Sequence, residues 1–259
     1  MLYIHENNLL TKINTNYRGH GTAINDFYHN VYLPMRVKMM SIHFGKDSFE
    51  PFKEAADIIN VYYKDLRNFS TKYSISSQSK FESTYLEEIS VYLFREIPEI
   101  ANDTFGIFNK KIYAGLKIDS NKRLAIITKD VDFCIGKKVN ISIDREEATE
   151  LILPIVAVEV KTYLDATMFG EIKSSSKAIR SASPNSKTYV LMGYKDLADT
   201  HIIAARQDST LTEMFALRKN SSSPIHENAL YSYWEEITTA ISSVSEEAEI
   251  ITPGRLLRR

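Results

Sequence analysis

Apolar positions in the N-terminal third of the chain recur three or four residues apart, which is the spacing of one helical face. This spacing predicts helices at about residues 25–44, 50–73 and 79–96. Pro34 is expected to break or kink the first helix, because proline has no amide N–H to donate. The preceding residues 1–25 are polar and turn-prone, and we expect them to form a mobile arm.

After Gly106 the pattern changes to short apolar runs with β-branched residues, which is typical of strands. The predicted strands are at about 107–118, 124–135, 139–143, 151–161, 187–194 and 214–217, and further helices at 167–182 and 225–244. If helix 167–182 is a crossover, the strands on either side of it run parallel. Helices, then a hairpin and meander, then strand–helix–strand predict an α/β (α+β) fold with a mixed central sheet flanked by helices.

Three charged residues lie near the ends of two of these apolar strands. Asp132 belongs to strand 124–135, while Glu159 and Lys161 close strand 151–161. Alternate residues of a strand share a face, so Glu159 and Lys161 point the same way, and Asp132 meets Glu159 if the strands are neighbours. Such charges are costly unless they are paired or bound to metal. The alternatives are a site for Mg²⁺, which prefers oxygen ligands, and an ordinary surface turn with salt-bridged charges.

Acidic residues also occur within the predicted helix 79–96. On a helical wheel, Glu82 lies near the centre of the apolar face, Glu88 at its edge and Glu87 on the opposite side. A carboxylate within an apolar face needs a partner, which makes Glu82 and Glu88 candidates for an interior role. Glu87 is expected on a solvated face.

A basic stripe lies on the helix that follows the Glu159 strand. Lys173, Lys177 and Arg180 are spaced so that they share one side of this helix. They either contact phosphates or form the solvated face of a crossover helix.

The composition limits the possible partners and compartments. The net charge is −1 over 259 residues, so a protein that binds nucleic acid must concentrate its lysines and arginines locally. The single cysteine, Cys134, cannot form an internal disulfide, and no Cys/His spacing indicates zinc. No apolar run approaches the ~18 residues of a membrane span, and the first residues lack a signal-peptide pattern. We therefore expect a cytoplasmic protein that does not bind membranes.

The arrangement of Asp132 before Glu159-Val160-Lys161 resembles the PD-(D/E)XK nuclease superfamily, in which an Asp on one strand precedes Glu-x-Lys on the next. Val131 stands where that pattern has a proline. The resemblance implies that Asp132, Glu159 and the carbonyl of Val160 hold Mg²⁺. It also implies that Lys161 orients or activates the attacking water, and that a helix before the sheet supplies a further carboxylate.

Three further segments resemble the DdeI/BbvCI family of type II restriction endonucleases. They are Phe81-x-x-Thr84-x-Leu86-Glu87-Glu88, Lys161-Thr162-Tyr163-Leu164-Asp165-Ala166-Thr167-Met168, and Phe215-x-Leu217-Arg218-Lys219 with Pro224-Ile225. This resemblance implies Mg²⁺-dependent cleavage of both strands of double-stranded DNA within a short recognition sequence. It assigns Asp132, Glu159 and Lys161 as the catalytic set. It also assigns Glu88 as the helix carboxylate, whereas the helical wheel favours Glu82.

We therefore expect a single restriction-endonuclease-like domain over residues 1–259, with a helical N-terminal part, 1–100, and a nuclease core, 79–245. Cleavage of both strands needs two active sites or two sequential cuts, which leaves open a homodimer and a heterodimer with a related subunit. The alternative functions are a DNA repair or recombination nuclease of the same fold and a non-catalytic DNA-binding module. The intact Asp132, Glu159 and Lys161 argue against the module, because degenerate copies usually lose a charge first.

Overall fold

The computed structural model describes residues 3–76, 79–109, 111–142, 148–207 and 210–245. Its helices are α1 (Ile4–Asn14), α2 (Gly21–Phe27), α3 (Leu33–Ser41), α4 (Glu50–Lys72), α5 (Ser83–Phe94), α6 (Pro98–Ala101), α7 (Ala166–Ala182), α8 (Asp199–Gln207) and α9 (Glu227–Ser245). Its strands are β1 (Gly106–Phe108), β2 (Ile112–Ile118), β3 (Leu124–Lys129), β4 (Phe133–Ile141), β5 (Thr149–Leu164), β6 (Lys187–Lys195) and β7 (Glu213–Ala216). None of the helices in these ranges is long and apolar enough to cross a membrane.

The strands form a five-stranded sheet in the order β1-β4-β5-β6-β7, and β2 and β3 form a separate hairpin. β1, β4 and β5 pair antiparallel, whereas β5, β6 and β7 pair parallel. The crossover from β5 to β6 is α7, and the side chain of Asp165 caps it by accepting a hydrogen bond from the N–H of Met168 at 2.8 Å. The predicted fold, a mixed central sheet flanked by helices, is confirmed.

The side chains of β5 alternate between two packing layers. Val158 and Val160 enter the main hydrophobic core, which contains residues of α1 to α5 and of α9. Ala157 lies on the other face, in a smaller cluster with residues of β2 and α7. Because successive side chains of a strand point to opposite faces, Glu159 and Lys161 belong to the face that α7 covers.

The prediction of a mobile N-terminal arm is wrong. Residues Ile4–Asn14 form α1, which packs against α2 and α5 and completely buries His5 and Leu9. The polar sequence concealed this helix because α1 buries His5 and Lys12 among polar partners that are distant in the sequence. Local periodicity carries no signal for such partners.

His5 is held neutral inside this contact. Its Nδ1–H donates to Thr84 Oγ1 at 2.9 Å, because the Thr84 hydroxyl itself donates to the carbonyl of Lys80. The Nε2 atom of His5 therefore accepts a hydrogen bond from the hydroxyl of Tyr62. Burial, and secondarily the charge of Lys12, lowers the pKa of His5 from 6.5 to about 3.

The helix predicted at residues 25–44 extends instead over residues 21–41 and continues through Pro34. A π-helical turn, Tyr28–Tyr32, joins α2 to α3 just before the proline, and the backbone keeps helical dihedral angles on both sides of it. Such a turn changes the local hydrogen-bond register, which accommodates the missing N–H of Pro34 without ending the helix.

Two of the predicted strands are divided in the structure. Segment 107–118 contains β1 and β2, and segment 124–135 contains β3 and the start of β4, with Asp132 in the break between them. The predicted strand 139–143 is the end of β4, and its last residue lies outside the described residues. Helix α8 was not predicted.

One main core joins the N-terminal helices to the sheet, since its buried residues come from α1 to α5, from β4 to β7 and from α9. The helical part and the nuclease core are therefore packed together over the described ranges. The single domain over residues 1–259 stays a prediction, because residues 246–259 lie outside those ranges.

The neutral state of His5 predicts a loss of stability in mild acid. A base whose folded pKa is depressed contributes stability that is present above its unfolded pKa and is lost as the pH falls towards the folded value. Between pH 7 and pH 5 we expect His5 to remove about 2 kcal/mol from the free energy of unfolding. Urea unfolding of wild type and His5→Phe at both pH values measures this, and the variant should show the smaller pH dependence. The exposed His29→Gln is the control, and equal pH dependence in wild type and His5→Phe would contradict the prediction.

Candidate active site

The register of β4 on β5 brings Asp132 to Glu159. Phe133 lies opposite Val158 in this antiparallel pair, so the residue before Phe133 faces the residue after Val158. The Nζ atom of Lys161 lies 3.1 Å from Asp132 Oδ2 and 3.2 Å from Glu159 Oε2. The structure therefore brings together the three charged residues found near the strand ends, which we name the strand-end cluster.

The backbone of β5 also fixes Asp132. Its Oδ2 atom accepts a hydrogen bond from the N–H of Val160 at 2.8 Å. The N–H and C=O of one strand residue point to the same side of the strand, so the carbonyl of Val160 faces the edge where Asp132 lies. Sequence reasoning missed this bond, because it depends on which side of β5 the Asp132 backbone approaches.

Solvent reaches all three side chains, which are 30% exposed for Lys161, 23% for Asp132 and 17% for Glu159. Burial raises the pKa of Glu159, the charge of Lys161 lowers it, and the charge of Asp132 raises it again. Burial lowers the pKa of Lys161, but the two carboxylates outweigh burial and its pKa is raised. Lys161 is therefore an ammonium group at neutral pH.

The donor set of the cluster suits a hard divalent cation. Two carboxylates and the Val160 carbonyl could provide oxygen ligands, and Mg²⁺ commonly keeps several waters as its remaining ligands. The carboxylates already hold one positive charge, the ammonium of Lys161. No group of three or more His, Cys, Asp and Glu side chains arranged for a metal occurs within the described ranges, so water or phosphate oxygens would complete the coordination.

A model of the Bpu10I restriction endonuclease family matches residues 78–236, which is more than half of the chain. The chain belongs to this family. It is therefore a type II restriction endonuclease, a hydrolase that binds DNA and cleaves it at specific sites. Enzymes of this kind generally use a divalent metal. The resemblance of the sequence to type II restriction endonucleases is confirmed, and family membership favours site-specific cleavage over a repair nuclease or a non-catalytic module.

A solved structure of BbvCI, described as a native A2B2 tetramer at low resolution, is similar to this chain. The two match with a TM-score of 0.79 over 96% of this chain and 99% of that chain. At 15% sequence identity this likeness shows the fold alone. Comparison with curated proteins finds no match.

In this Bpu10I-family enzyme, Glu88 lies away from the strand-end cluster. It is 1% exposed inside α5, where its Oε2 accepts hydrogen bonds from the backbone N–H groups of His5 at 2.8 Å and Glu6 at 3.1 Å. Its Oε1 accepts hydrogen bonds from the hydroxyls of Tyr32 at 2.8 Å and Tyr92 at 2.6 Å. None of these four bonds connects Glu88 to the cluster.

The geometry therefore corrects the expectation that Glu88 joins the metal site. Helix α5 packs against the valine face of β5, whereas Glu159 and Lys161 lie on the opposite face. The Glu88 carboxylate instead caps α1, whose first N–H groups have no acceptor within the helix. Burial raises the pKa of Glu88, and the hydrogen bonds from Tyr92 and Tyr32 oppose that rise.

The other two acidic candidates on this helix also differ from expectation. Glu82 is half-buried at the start of α5 and lines a cavity together with Thr162 and Tyr163, which follow Lys161 in β5. Glu87 was expected on a solvated face but is 5% exposed. Nearly every residue of α5 is buried, so a helical wheel could not distinguish an inner from an outer face.

The basic stripe lies on α7, which covers the sheet face that carries Glu159 and Lys161. Lys177 is exposed, and Lys173 is half-buried with its Nζ 5.8 Å from the ring centroid of Phe169. Contact of this stripe with phosphates stays a prediction.

The position of Glu88 predicts that it supports stability and does not contribute directly to catalysis. Glu88→Gln places an amide NH₂ against hydroxyl or N–H donors, and we expect the free energy of unfolding to fall by about 1–3 kcal/mol for each donor left without an acceptor. Urea unfolding measures this loss, and plasmid cleavage is assayed at a temperature at which the variant stays folded. Glu82→Gln is the matched control, with little change in stability. A well-folded Glu88→Gln without cleavage activity would place Glu88 in the active site after all.

Proposed function

We propose that the strand-end cluster is the active site of this restriction endonuclease and that it hydrolyses DNA phosphodiester bonds with Mg²⁺ as the metal. The observation that carries the proposal is the convergence of two carboxylates and one ammonium at the break before β4 and near the end of β5. All three groups are partly open to solvent, so a phosphate and a water molecule can approach them.

Asp132, Glu159 and the carbonyl of Val160 would hold the metal. Bound there, Mg²⁺ would stabilise the charge that develops on the scissile phosphate and on the leaving oxygen. The N–H of Val160 fixes the orientation of the Asp132 carboxylate, so this ligand is preorganised before DNA binds. Glu159 is also held in place, because it accepts a hydrogen bond from Lys161.

Lys161 acts as a cation in this proposal. General-base catalysis requires a neutral amine, whereas Lys161 donates hydrogen bonds to both carboxylates, which raise its pKa in the metal-free protein. Its ammonium therefore orients the attacking water and offsets the phosphate charge.

Two active sites are needed to cut both strands in one binding event. We propose that the enzyme acts as a pair of chains, either a homodimer or a heterodimer with a related subunit. The assembly of the similar BbvCI structure, an A2B2 tetramer, supports such a pairing. Light scattering of the purified chain alone distinguishes the two cases, since a lone monomer would indicate a different subunit.

Substitutions in the cluster should separate DNA binding from cleavage. Asp132→Ala and Glu159→Ala remove metal ligands and should abolish cleavage of supercoiled plasmid in Mg²⁺ while DNA binding in Ca²⁺ survives. Lys161→Ala and Lys161→Arg should be nearly inactive, because arginine keeps the charge but not the compact geometry. EDTA should stop the wild type, and added Mg²⁺ should restore it.

Thermal melting is the folding control for these variants, and mapping of the cut ends tests site specificity. Fixed ends are expected for a restriction enzyme, whereas scattered ends would contradict it. Substantial activity in a well-folded Lys161→Ala protein would remove the strand-end cluster from the active site.

The basic stripe on α7 should contribute to the salt dependence of DNA binding without changing which DNA sequence is preferred. Removing one lysine–phosphate interaction reduces the slope of log K against log salt by about 0.9. We expect Lys173→Ala/Lys177→Ala to lower the slope accordingly in a fluorescence anisotropy titration. Lys46→Ala/Lys53→Ala removes the same charge elsewhere and is the control. An unchanged slope in the stripe variant would mean that Lys173 and Lys177 face solvent and do not contact phosphates.

A further inference from the structure

Arg218 is a buried guanidinium without an acidic partner in the described part of the chain. The residue is 4% exposed, and its Nε–H has no hydrogen-bond acceptor among the described residues. No Asp or Glu within the described ranges forms an ion pair with it. A buried charge is costly unless it is paired, so the fold holds Arg218 in an unfavourable position.

The end of β7 and a glycine of β6 position this guanidinium. The N–H of Arg218 donates to the carbonyl of Gly193 at 2.8 Å, which continues the pairing of the two strands. A Cβ atom at Gly193 would lie 2.8 Å from Arg218 Nη2 and 2.3 Å from the carbonyl oxygen of Thr162. The Arg218 side chain therefore crosses β6 where no side chain intervenes and approaches the residue that follows Lys161.

Aromatic rings support the guanidinium. The Cζ atom of Arg218 lies 4.3 Å from the ring centroid of Tyr63 and 6.0 Å from that of Tyr194. The Cζ atom of Arg67 lies 5.9 Å from the same Tyr63 ring. Cation–π contacts offset only part of the desolvation of a cation, and two cations beside one ring repel each other. Both features favour the binding of an anion between them.

A cleft of about 480 Å³ opens between α4 and the segment that follows β7. Its basic lining residues are Lys64, Arg67 and Arg218, and its described lining contains no Asp or Glu. Asn60 fixes the wall opposite α4, since its side chain accepts from the N–H of Ile225 at 2.7 Å and donates to the Ile225 carbonyl at 3.0 Å. The result is a walled cleft that presents three positive charges.

This cleft lies next to a cavity that reaches the C-terminal part of β5. A second cavity, of about 220 Å³, shares Tyr63, Arg67 and Ser221 with the cleft and is also lined by Thr162, Tyr163 and Glu82. The first two of these residues, Thr162 and Tyr163, come directly after Lys161 in β5. Thr162 belongs by alternation to the face of β5 opposite Lys161, so a DNA strand across the C-terminal end of β5 would meet the cleft on one side and the strand-end cluster on the other.

We propose that this cleft binds a phosphate of the DNA backbone, with Arg218 as the buried ligand and Lys64 and Arg67 at the opening. The inference rests on the proposed function, because it assumes that DNA lies across the end of β5. A guanidinium group can bind phosphate through two parallel N–H···O hydrogen bonds. A phosphate would therefore supply the anionic partner that Arg218 lacks among the described residues. Backbone contacts of this kind position DNA without reading its sequence.

The test is fluorescence anisotropy in Ca²⁺ with two labelled duplexes, one with a mapped cleavage site and one scrambled. Arg218→Met should weaken binding of both duplexes about tenfold or more, because a charged hydrogen bond to phosphate is removed. Lys64→Ala/Arg67→Ala should weaken both and reduce the salt slope by about 0.9 for each phosphate that is no longer neutralised. Lys53→Ala, on the same helix but outside the cleft, should change neither. Unchanged affinity and slope in the cleft variants would overturn the proposal.

Thermal melting without DNA separates ligand binding from a structural role. If Arg218 serves a phosphate, Arg218→Met keeps or raises the melting temperature, because an unpaired buried charge is removed and the thioether still contacts Tyr63. A lower melting temperature with unchanged DNA affinity assigns Arg218 to the fold and overturns the proposal. If Arg218→Met fails to fold, the exposed pair Lys64→Ala/Arg67→Ala decides.

Inorganic phosphate and plasmid cleavage complete the test. Inorganic phosphate is added to wild type and to Arg218→Met. If it raises the melting temperature of wild type alone while both proteins bind DNA with equal affinity, the cleft is a site for free anions and the DNA assignment is overturned. Cleavage by wild type in Mg²⁺ is measured separately. Weaker DNA binding in the variants together with an inactive wild type would refute the proposed catalysis and support the cleft, whereas normal cleavage with unchanged binding would refute the cleft alone.

Discussion

The alternation of side chains along β5 decides where each functional group of this enzyme can act. The valines join the sheet to the helical layer, and the charged residues between them are left for the opposite face. A β-bulge sets the pairing, because Ile155 is an extra residue between the pairs Ile135–Val156 and Gly136–Pro154. Without it, Asp132 would face Val158 instead of Glu159, and a carboxylate would meet an apolar side chain. The bulge also accommodates Pro154, which has no N–H to donate within a central strand.

The helical layer is held together by the buried carboxylate of Glu88, whose role differs from that of Glu159. Glu88 joins α1, the π-helical turn and α5, because its four hydrogen bonds come from His5, Glu6, Tyr32 and Tyr92. Tyr32 ends the π-helical turn, so the change of helical register before Pro34 also directs this hydroxyl at Glu88. Two similar carboxylates thus have opposite fates. Glu159 stays partly open to solvent beside an ammonium, whereas Glu88 is enclosed by neutral donors.

Sequence reasoning succeeded where the deciding contacts are local. The apolar run of β5 and the charges that close it lie within one strand, so period-two alternation placed Glu159 and Lys161 together. Asp132 required only that two strands be neighbours. The helix α1 and the role of Glu88 could not be predicted, because they depend on polar partners separated by up to 83 residues. Arg218 stood in a segment that resembles the restriction endonuclease family, but the sequence could not show that it is buried without an acidic partner among the described residues, because only the fold brings those residues together.

The electrostatics of the two sites explain how a chain with a net charge of −1 can bind DNA. The structure places the cations of Lys161 and Arg218 at one end of the sheet, and in the free protein neither of them is bound to a phosphate. Lys161 is balanced by two carboxylates, and a divalent metal bound to those carboxylates would free the ammonium to interact with phosphate. Arg218 has no such partner among the described residues and remains desolvated on Tyr63. A metal ion at the two carboxylates and a phosphodiester beside Lys161 and Arg218 would complete the interactions of both cations. On these proposals, the folded enzyme would be complementary to its metal-bound substrate and not to its own empty state.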